Sequence, residues 1–173
     1  EIMPSLVGSE MCIRDRRTIQ GMTLFWRTAE VFSNWNLGTF TVEGRSFNCA
    51  EQFMMFTKAM LFGDVQIANQ IMAESNPRKQ KALGRQISGY VDAVWQNQAE
   101  DLMFPGLFAK FTQDPDRKAA ILATGDTLLV EASPDDVVWG IGLEESDPRC
   151  LNPEEWLGQN KLGRVLTLSL IHI

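Results

Sequence analysis

Histidine is almost missing from this chain: there is one in 173 residues, His172. Without a histidine in the body of the sequence there is no Ser-His or Cys-His relay, and the commonest metal ligand is gone. Cysteine is scarce as well. Cys12, Cys49 and Cys150 form no CxxC pair and suit neither a disulfide framework nor a zinc site, so a reducing cytoplasm is expected. No apolar run approaches the ~18 residues that a membrane helix needs, and no membrane partner is expected. Positive charge is short too: 16 Lys and Arg against 22 Asp and Glu leave a net charge of −6. That balance argues against a broad non-specific grip on nucleic acid, but not against a local basic pocket around one phosphate. What remains is ordinary for a single globular domain, with 45% hydrophobic and 22% charged residues.

Both ends of the chain are unusual. Met11-Cys12-Ile13-Arg14-Asp15-Arg16 is the translation of ATGTGTATAAGAGACAG, a transposon adapter used in sequencing. Leu168-Ser169-Leu170-Ile171-His172-Ile173 is the translation of the adapter's reverse complement. Residues 1–21 and 168–173 therefore read as adapter-derived tails, and 22–167 as the domain, with Met22 as its start. The histidine leaves with the second tail. Any chemistry is then expected to run on carboxylates, lysine or arginine, with no metal and no cofactor.

Periodicity and punctuation give the outline. Residues 39–42 before Glu43-Gly44 read as a strand and turn. Asn48 is positioned as an N-cap for a helix over 49–62 that Gly63 stops. Asp64 opens a second helix with Val65, Ala68, Ile71 and Met72 on one face, ending before Pro77. Further helices are expected over 77–87, over 92–103 with a break at Pro105-Gly106 and resumption over 107–111, and over 117–124. Strands are expected over 127–132 and 136–142, then an acidic, proline-containing loop, then a last helix within 158–166. Helices dominate and strands are few, so the fold class is α+β, a single mainly helical domain.

Three clusters carry possible chemistry. In the helix over 49–62, Glu51 and Lys58 lie seven apart and project from nearly the same face, while Phe53, Phe56 and Met60 face a core. The helix macrodipole favours an ionised Glu51. Asn48 and Glu51 also have the spacing of a capping box, which would use the carboxylate on its own helix end. In Asp136-Val-Val-Trp139-Gly140-Ile141-Gly142, glycines beside an aromatic would let backbone amides approach a ligand while the ring stacks on a base; a tight strand with a core tryptophan is the plainer reading. Residues 158–163 offer either a turn into a helix or an anion-binding loop. Lys79, Lys81 and Arg85 form a small basic cluster suited to phosphate or to a solvated helix face.

Taken in order, several segments resemble the NADAR family, which is related to the YbiA N-glycosidases. They are Phe32-Ser33-Asn34-Trp35, Ala50-Glu51-Gln52-Phe53 through Lys58-Ala59, Asn76-Pro77 with Gly84-Arg85, and Thr124-Gly125-Asp126 with Leu129-Val130-Glu131-Ala132. Asp136 with Trp139-Gly140-Ile141-Gly142, and Gly158-Gln159-Asn160-Lys161-Leu162-Gly163, complete the set. The resemblance implies a small, mainly helical α+β fold that hydrolyses N-glycosides. The implied substrates are phosphoribosylamino-pyrimidine intermediates of riboflavin synthesis, or ADP-ribose attached to guanine in nucleic acid. The second would come with a repair or an antitoxin role, the antitoxin role with a toxin partner encoded nearby.

On that footing Glu51 is expected to stabilise the developing cation at the sugar's C1 and to activate water. Lys58 is the alternative nucleophile or a proton donor, and Asp136 the second acid. Trp139, Gly140 and Asn160 are assigned to sugar or base, with Trp95 as a further substrate contact. Arg27, Lys79 and Arg85 are assigned to phosphate, and Asn34 to ordering the loop beside the site. A non-catalytic module that binds ADP-ribose or a nucleotide is the competing reading.

Overall fold

The computed structural model describes residues 17–173. The stretch 11–16, with Cys12, lies outside them. Two small sheets and six helices make up the described residues, an α+β arrangement dominated by helix.

The first sheet has the order β1-β2-β5. β1 (Arg17–Ile19) pairs antiparallel with β2 (Met22–Phe25), and β2 pairs parallel with β5 (Leu128–Glu131), Phe25 standing opposite Glu131. Successive side chains on a strand point to opposite faces. Phe25 and Leu129 accordingly enter the main core, while Met22, Leu24 and Val130 enter a smaller one with Ile141, Leu143 and Cys150. By the same alternation Glu131 shares the face of Leu129. β2 was not expected, since its pairing partner lies more than a hundred residues away.

The second sheet is a hairpin of β3 (Phe40–Val42) and β4 (Arg45–Phe47), turned by Glu43 and Gly44, both at positive φ. It leads directly into α1 (Ala50–Leu61). Around α1 pack α2 (Val65–Ala73), α3 (Pro77–Gly84) and the long α4 (Asp92–Thr112); α5 (Pro115–Leu122) and α6 (Lys161–Ile171) complete the chain.

Several expectations are corrected. α4 runs unbroken through Pro105. Pro105 and Asp101, whose carbonyl the proline leaves without its donor, are both exposed residues, so the missing bond falls on the solvent side of the helix. Residues 136–142 form no strand but a sequence of turns closed by Asp136. The helix over 77–87 ends at Gly84, and Val65, placed on an inward face, is exposed.

Candidate active site

The N-terminus of α1 decides what Glu51 can do. The helix is capped by Cys49, whose Sγ accepts from Gln52 N, and Gln52 Oε1 turns back to accept from Asn48 N at 2.8 Å. Asn48 instead reaches across to Ser75 O and Gln80 Nε2. The capping box expected of Asn48 and Glu51 is therefore not formed, and residue 52 does the work expected of residue 51. Glu51, 3% exposed, turns its carboxylate inward, where Oε2 accepts from Trp35 Nε1 at 3.2 Å.

The loop that brings Trp35 is pinned on both sides. Glu51 N donates to Asn34 O at 2.9 Å, and the wholly buried Lys110 of α4 donates from Nζ to Ser33 O at 2.8 Å. Burial, with nearby Arg117 acting in the same direction, brings the Lys110 ammonium down to about 7.

A second wall is built by β5 and the turns after it. Glu131 ends the strand with its carboxylate buried. The side chain of Asn160 holds the strand by its backbone, accepting from Glu131 N at 3.1 Å and donating to Leu129 O at 2.9 Å. Asp136 Oδ1 accepts from Val138 N and Trp139 N, at 2.9 and 2.8 Å, so one of its oxygens is committed to the turn.

Between these walls lies a cavity of about 250 Å³ lined by Asn34, Trp35, Glu51, Lys58, Lys81, Arg85, Tyr90, Trp95, Glu131, Asp136 and Trp139, among others. An adjoining cavity of about 450 Å³ shares Ser33, Trp35, Lys81, Glu131 and Asp136 with it and adds Trp26, Arg27, Thr28, Ser133 and Asp135. Among the described residues, three buried side-chain atoms have no hydrogen-bond partner: Asn34 Oδ1, Glu51 Oε1 and Glu131 Oε2. All three residues line the first cavity. Orphaned buried acceptors cost about 1–3 kcal/mol each, and their convergence on one hollow marks a place for donors such as hydroxyls or water.

The electrostatics follow from burial. Desolvation lifts Glu51 to about 7, with Asp136 acting the same way, against the pull of Lys81, the Trp35 bond and Lys58. Desolvation lifts Glu131 to about 8, aided by Asp136 and Glu51 and opposed by Lys81. Lys58 is half-buried, and desolvation lowers its pKa although Asp92 and Glu51 resist. Its Nζ donates to Gly84 O at 3.3 Å and stands 4.1 Å above the Tyr90 ring.

Of the residues picked from sequence, the first cavity gathers Glu51, Lys58, Asp136, Asn34, Arg85, Trp95 and Trp139; Arg27 lines only the second. Three lie outside both. Lys79 is exposed and faces Glu74 at 3.8 Å. Gly140 is a glycine because backbone crowds it: a Cβ there would stand 2.9 Å from Asp136 O and 3.0 Å from Glu131 O. Nor do the carbonyls of 138–140 face a ligand; they accept from Lys161, Leu162 and Asn160 N at the start of α6. Asn160 is spent on β5. Sequence reasoning gave no role to Trp35, Glu131 or Tyr90, and grouped Lys81 with a basic cluster without placing it at the carboxylates. Trp35 and Glu131 sit in segments already singled out, but nothing local to them announces burial.

The buried pair of carboxylates with cationic neighbours lies within the stretch of the chain that matches a protein family. The chain belongs to it: the NADAR domain matches residues 24–168. Relatives include protein irg-1 of Caenorhabditis elegans, 38% identical over 159 residues (83% of this chain, 75% of the relative). An N-glycosidase of Acanthamoeba polyphaga mimivirus is 38% identical over 141 residues, covering 79% of this chain and 83% of its own length. N-glycosidase YbiA of Escherichia coli is 31% identical over 135 residues (78% and 76%). The NMR structure of the E. coli protein YbiA superposes with a TM-score of 0.73 at 26% identity, covering 92% of this chain and 89% of that one.

Proposed function

We propose that the protein hydrolyses the N-glycosidic bond between a base or amine and the C1 of a phosphorylated ribose. The fitting substrates are ADP-ribose attached to guanine and the phosphoribosylamino-pyrimidines of riboflavin synthesis. The relatives named as N-glycosidases supply the reaction class. The observation that carries the reading is Glu51, buried and aimed into the cavity instead of capping its own helix.

Breaking the bond builds positive charge at C1, which a carboxylate at that position stabilises. Above about pH 7 Glu51 is ionised and can also take a proton from the attacking water, its unpartnered Oε1 being the acceptor on offer. Asn34 Oδ1 is placed to accept from a ribose hydroxyl. Lys81 and Arg85 bring positive charge for a phosphate. If the natural substrate is ADP-ribosylated nucleic acid, a toxin encoded nearby is the expected source of the mark.

A second route, attack of Lys58 on C1 to form a Schiff base, is favoured by its desolvation, although Gly84 O and the Tyr90 ring already engage its ammonium. Incubation with ADP-ribosylated guanosine and with the phosphoribosylamino-pyrimidine, reading released base, tests the whole reading. Saturable binding of ADP-ribose without release of base from either would favour a non-catalytic module. Borohydride trapping separates the routes: no adduct leaves direct attack by water.

A further inference from the structure

The two adjoining cavities differ in character. The first holds Glu51 and the orphaned Asn34 oxygen, with Lys58 and Arg85, the lining expected for a ribose and its phosphate. The second is lined by Trp26, 43% exposed and of the residue type that stacks on a base, together with Thr28, Ser133 and Asp135, which suit the amino edge of a heterocycle. A ribose in one and its base in the other place the bond to be cleaved at the boundary, where the shared residues are. Of those, Lys81, Glu131 and Asp136 are each partly buried as whole residues, and Asp136 Oδ1 is tied to the turn. Glu131 is the residue common to both hollows that carries a buried carboxylate oxygen without a partner.

We propose that Glu131, and not Asp136, is the proton donor to the departing base, which lies in the second cavity while Glu51 serves the sugar in the first. This rests on the hydrolase reading above. The C1–N bond breaks with its electron pair going to nitrogen, and that nitrogen takes the proton from the Glu131 carboxyl. Water adds its oxygen to C1 and gives a proton to Glu51. Return of that proton to Glu131 through solvent resets the site, and the sum is substrate plus one water giving free base and ribose. An amine or guanine is a poor leaving group as an anion, so a protonated partner at this point is what the reaction needs.

The groups facing Glu131 are consistent with an acid that stays protonated at neutral pH. They are Asp136 from the turn after its own strand, Glu51 from α1 and Lys81 from α3, with Phe25 across the strand pair contributing no charge. Burial and the two acids outweigh the lysine and hold its carboxyl at about 8, above Glu51 at about 7. Turnover should then rise with ionisation of Glu51 and fall as Glu131 loses its proton.

The test is the pH profile of kcat for wild type and for Glu131→Gln, on whichever of the two substrates the wild type cleaves. The amide fills the same space and removes only the acid. Turnover should fall by at least about 10² with KM within a few-fold, and the alkaline limb near pH 8 should vanish from what remains. Turnover within about ten-fold of wild type, or an alkaline limb left intact, overturns the proposal while leaving the hydrolase reading standing. A wild-type protein that releases no base from either substrate overturns both. If the amide does not fold, Glu131→Asp carries the same test: the limb should persist at reduced turnover, and its disappearance would overturn the assignment.

Discussion

The two walls of the cavity bury a carboxylate each, by opposite means. On the α1 wall the Glu51 carboxylate itself is gripped, through the indole of Trp35, while the loop behind it is pinned by Lys110. On the β5 wall the grip is on the backbone: Asn160 holds Leu129 and Glu131 by their peptide groups. A bonded carboxylate is drawn back toward ionisation, whereas one fixed only through its strand answers mainly to desolvation. Lys81 pulls Glu51 back most and the Trp35 bond adds to it, whereas Glu131 is opposed by Lys81 alone.

The sharpest way to break the contrast is Glu51→Gln. Turnover should drop by at least about 10² on a substrate the wild type cleaves, and near-normal release of base would remove Glu51 from the chemistry. The same change should stabilise the fold. A carboxyl whose folded pKa is raised above its unfolded value near 4.5 contributes stability at low pH that is lost as pH rises toward about 7. The amide therefore gains up to about 3 kcal/mol near pH 8 and little near pH 4, measurable as a pH-dependent difference in Tm.

Gly163→Ala attacks the other wall. Its Cβ would run into Leu129 O and the Asn160 amide, so β5 and α6 must part, at about 1–3 kcal/mol by denaturant titration. A stability unchanged within error would show that the strand is not held as described. Trp35→Phe is subtler. It removes the donor to Glu51, so the acid limb of the turnover profile should move up by about one pH unit, with activity recovering at higher pH. An unmoved limb would mean the indole bond does not tune the carboxylate. Lys79→Ala marks the floor: exposed and facing Glu74 outside both cavities, it should leave KM and kcat within two-fold.

The α1 wall was largely legible in the sequence. A stop at Gly63 and the shared face of Glu51 and Lys58 are local signals, and the helix appears within one residue of its expected bounds, though of the expected apolar face Phe53 and Phe56 pack into the core while Met60 is 45% exposed. What was misread there, Asn48 as the cap, turned on which of two neighbouring side chains faces the helix end. The β5 wall was poorly legible. The strand over 127–132 was expected and β5 forms within it, but nothing local marks Glu131 for burial, because its strand partner in β2 lies a hundred residues earlier and Asn160, which bonds its backbone, some thirty later. The glycines at 140 and 142 look like ligand-approach residues in isolation, but Gly140 is crowded by the carbonyls of Asp136 and Glu131, and Gly142 holds positive φ against the side chains of Leu157 and Val137. Pro105 misled for a similar reason: local punctuation was overridden by the burial of Met103, Leu107 and Phe111 on either side.

Asn160 sits in left-handed backbone at φ 51, two-handed toward β5, and immediately before α6. Few alternatives could stand in that spot. Glycine would accept the twist but has no arms, and aspartate would accept it too but set an anion against the oxygen of Leu129. Alanine fails on both counts. The position is thus a keystone whose loss would be felt some distance off, as a slackened strand end and a wandering Glu131, in a residue that lines neither cavity.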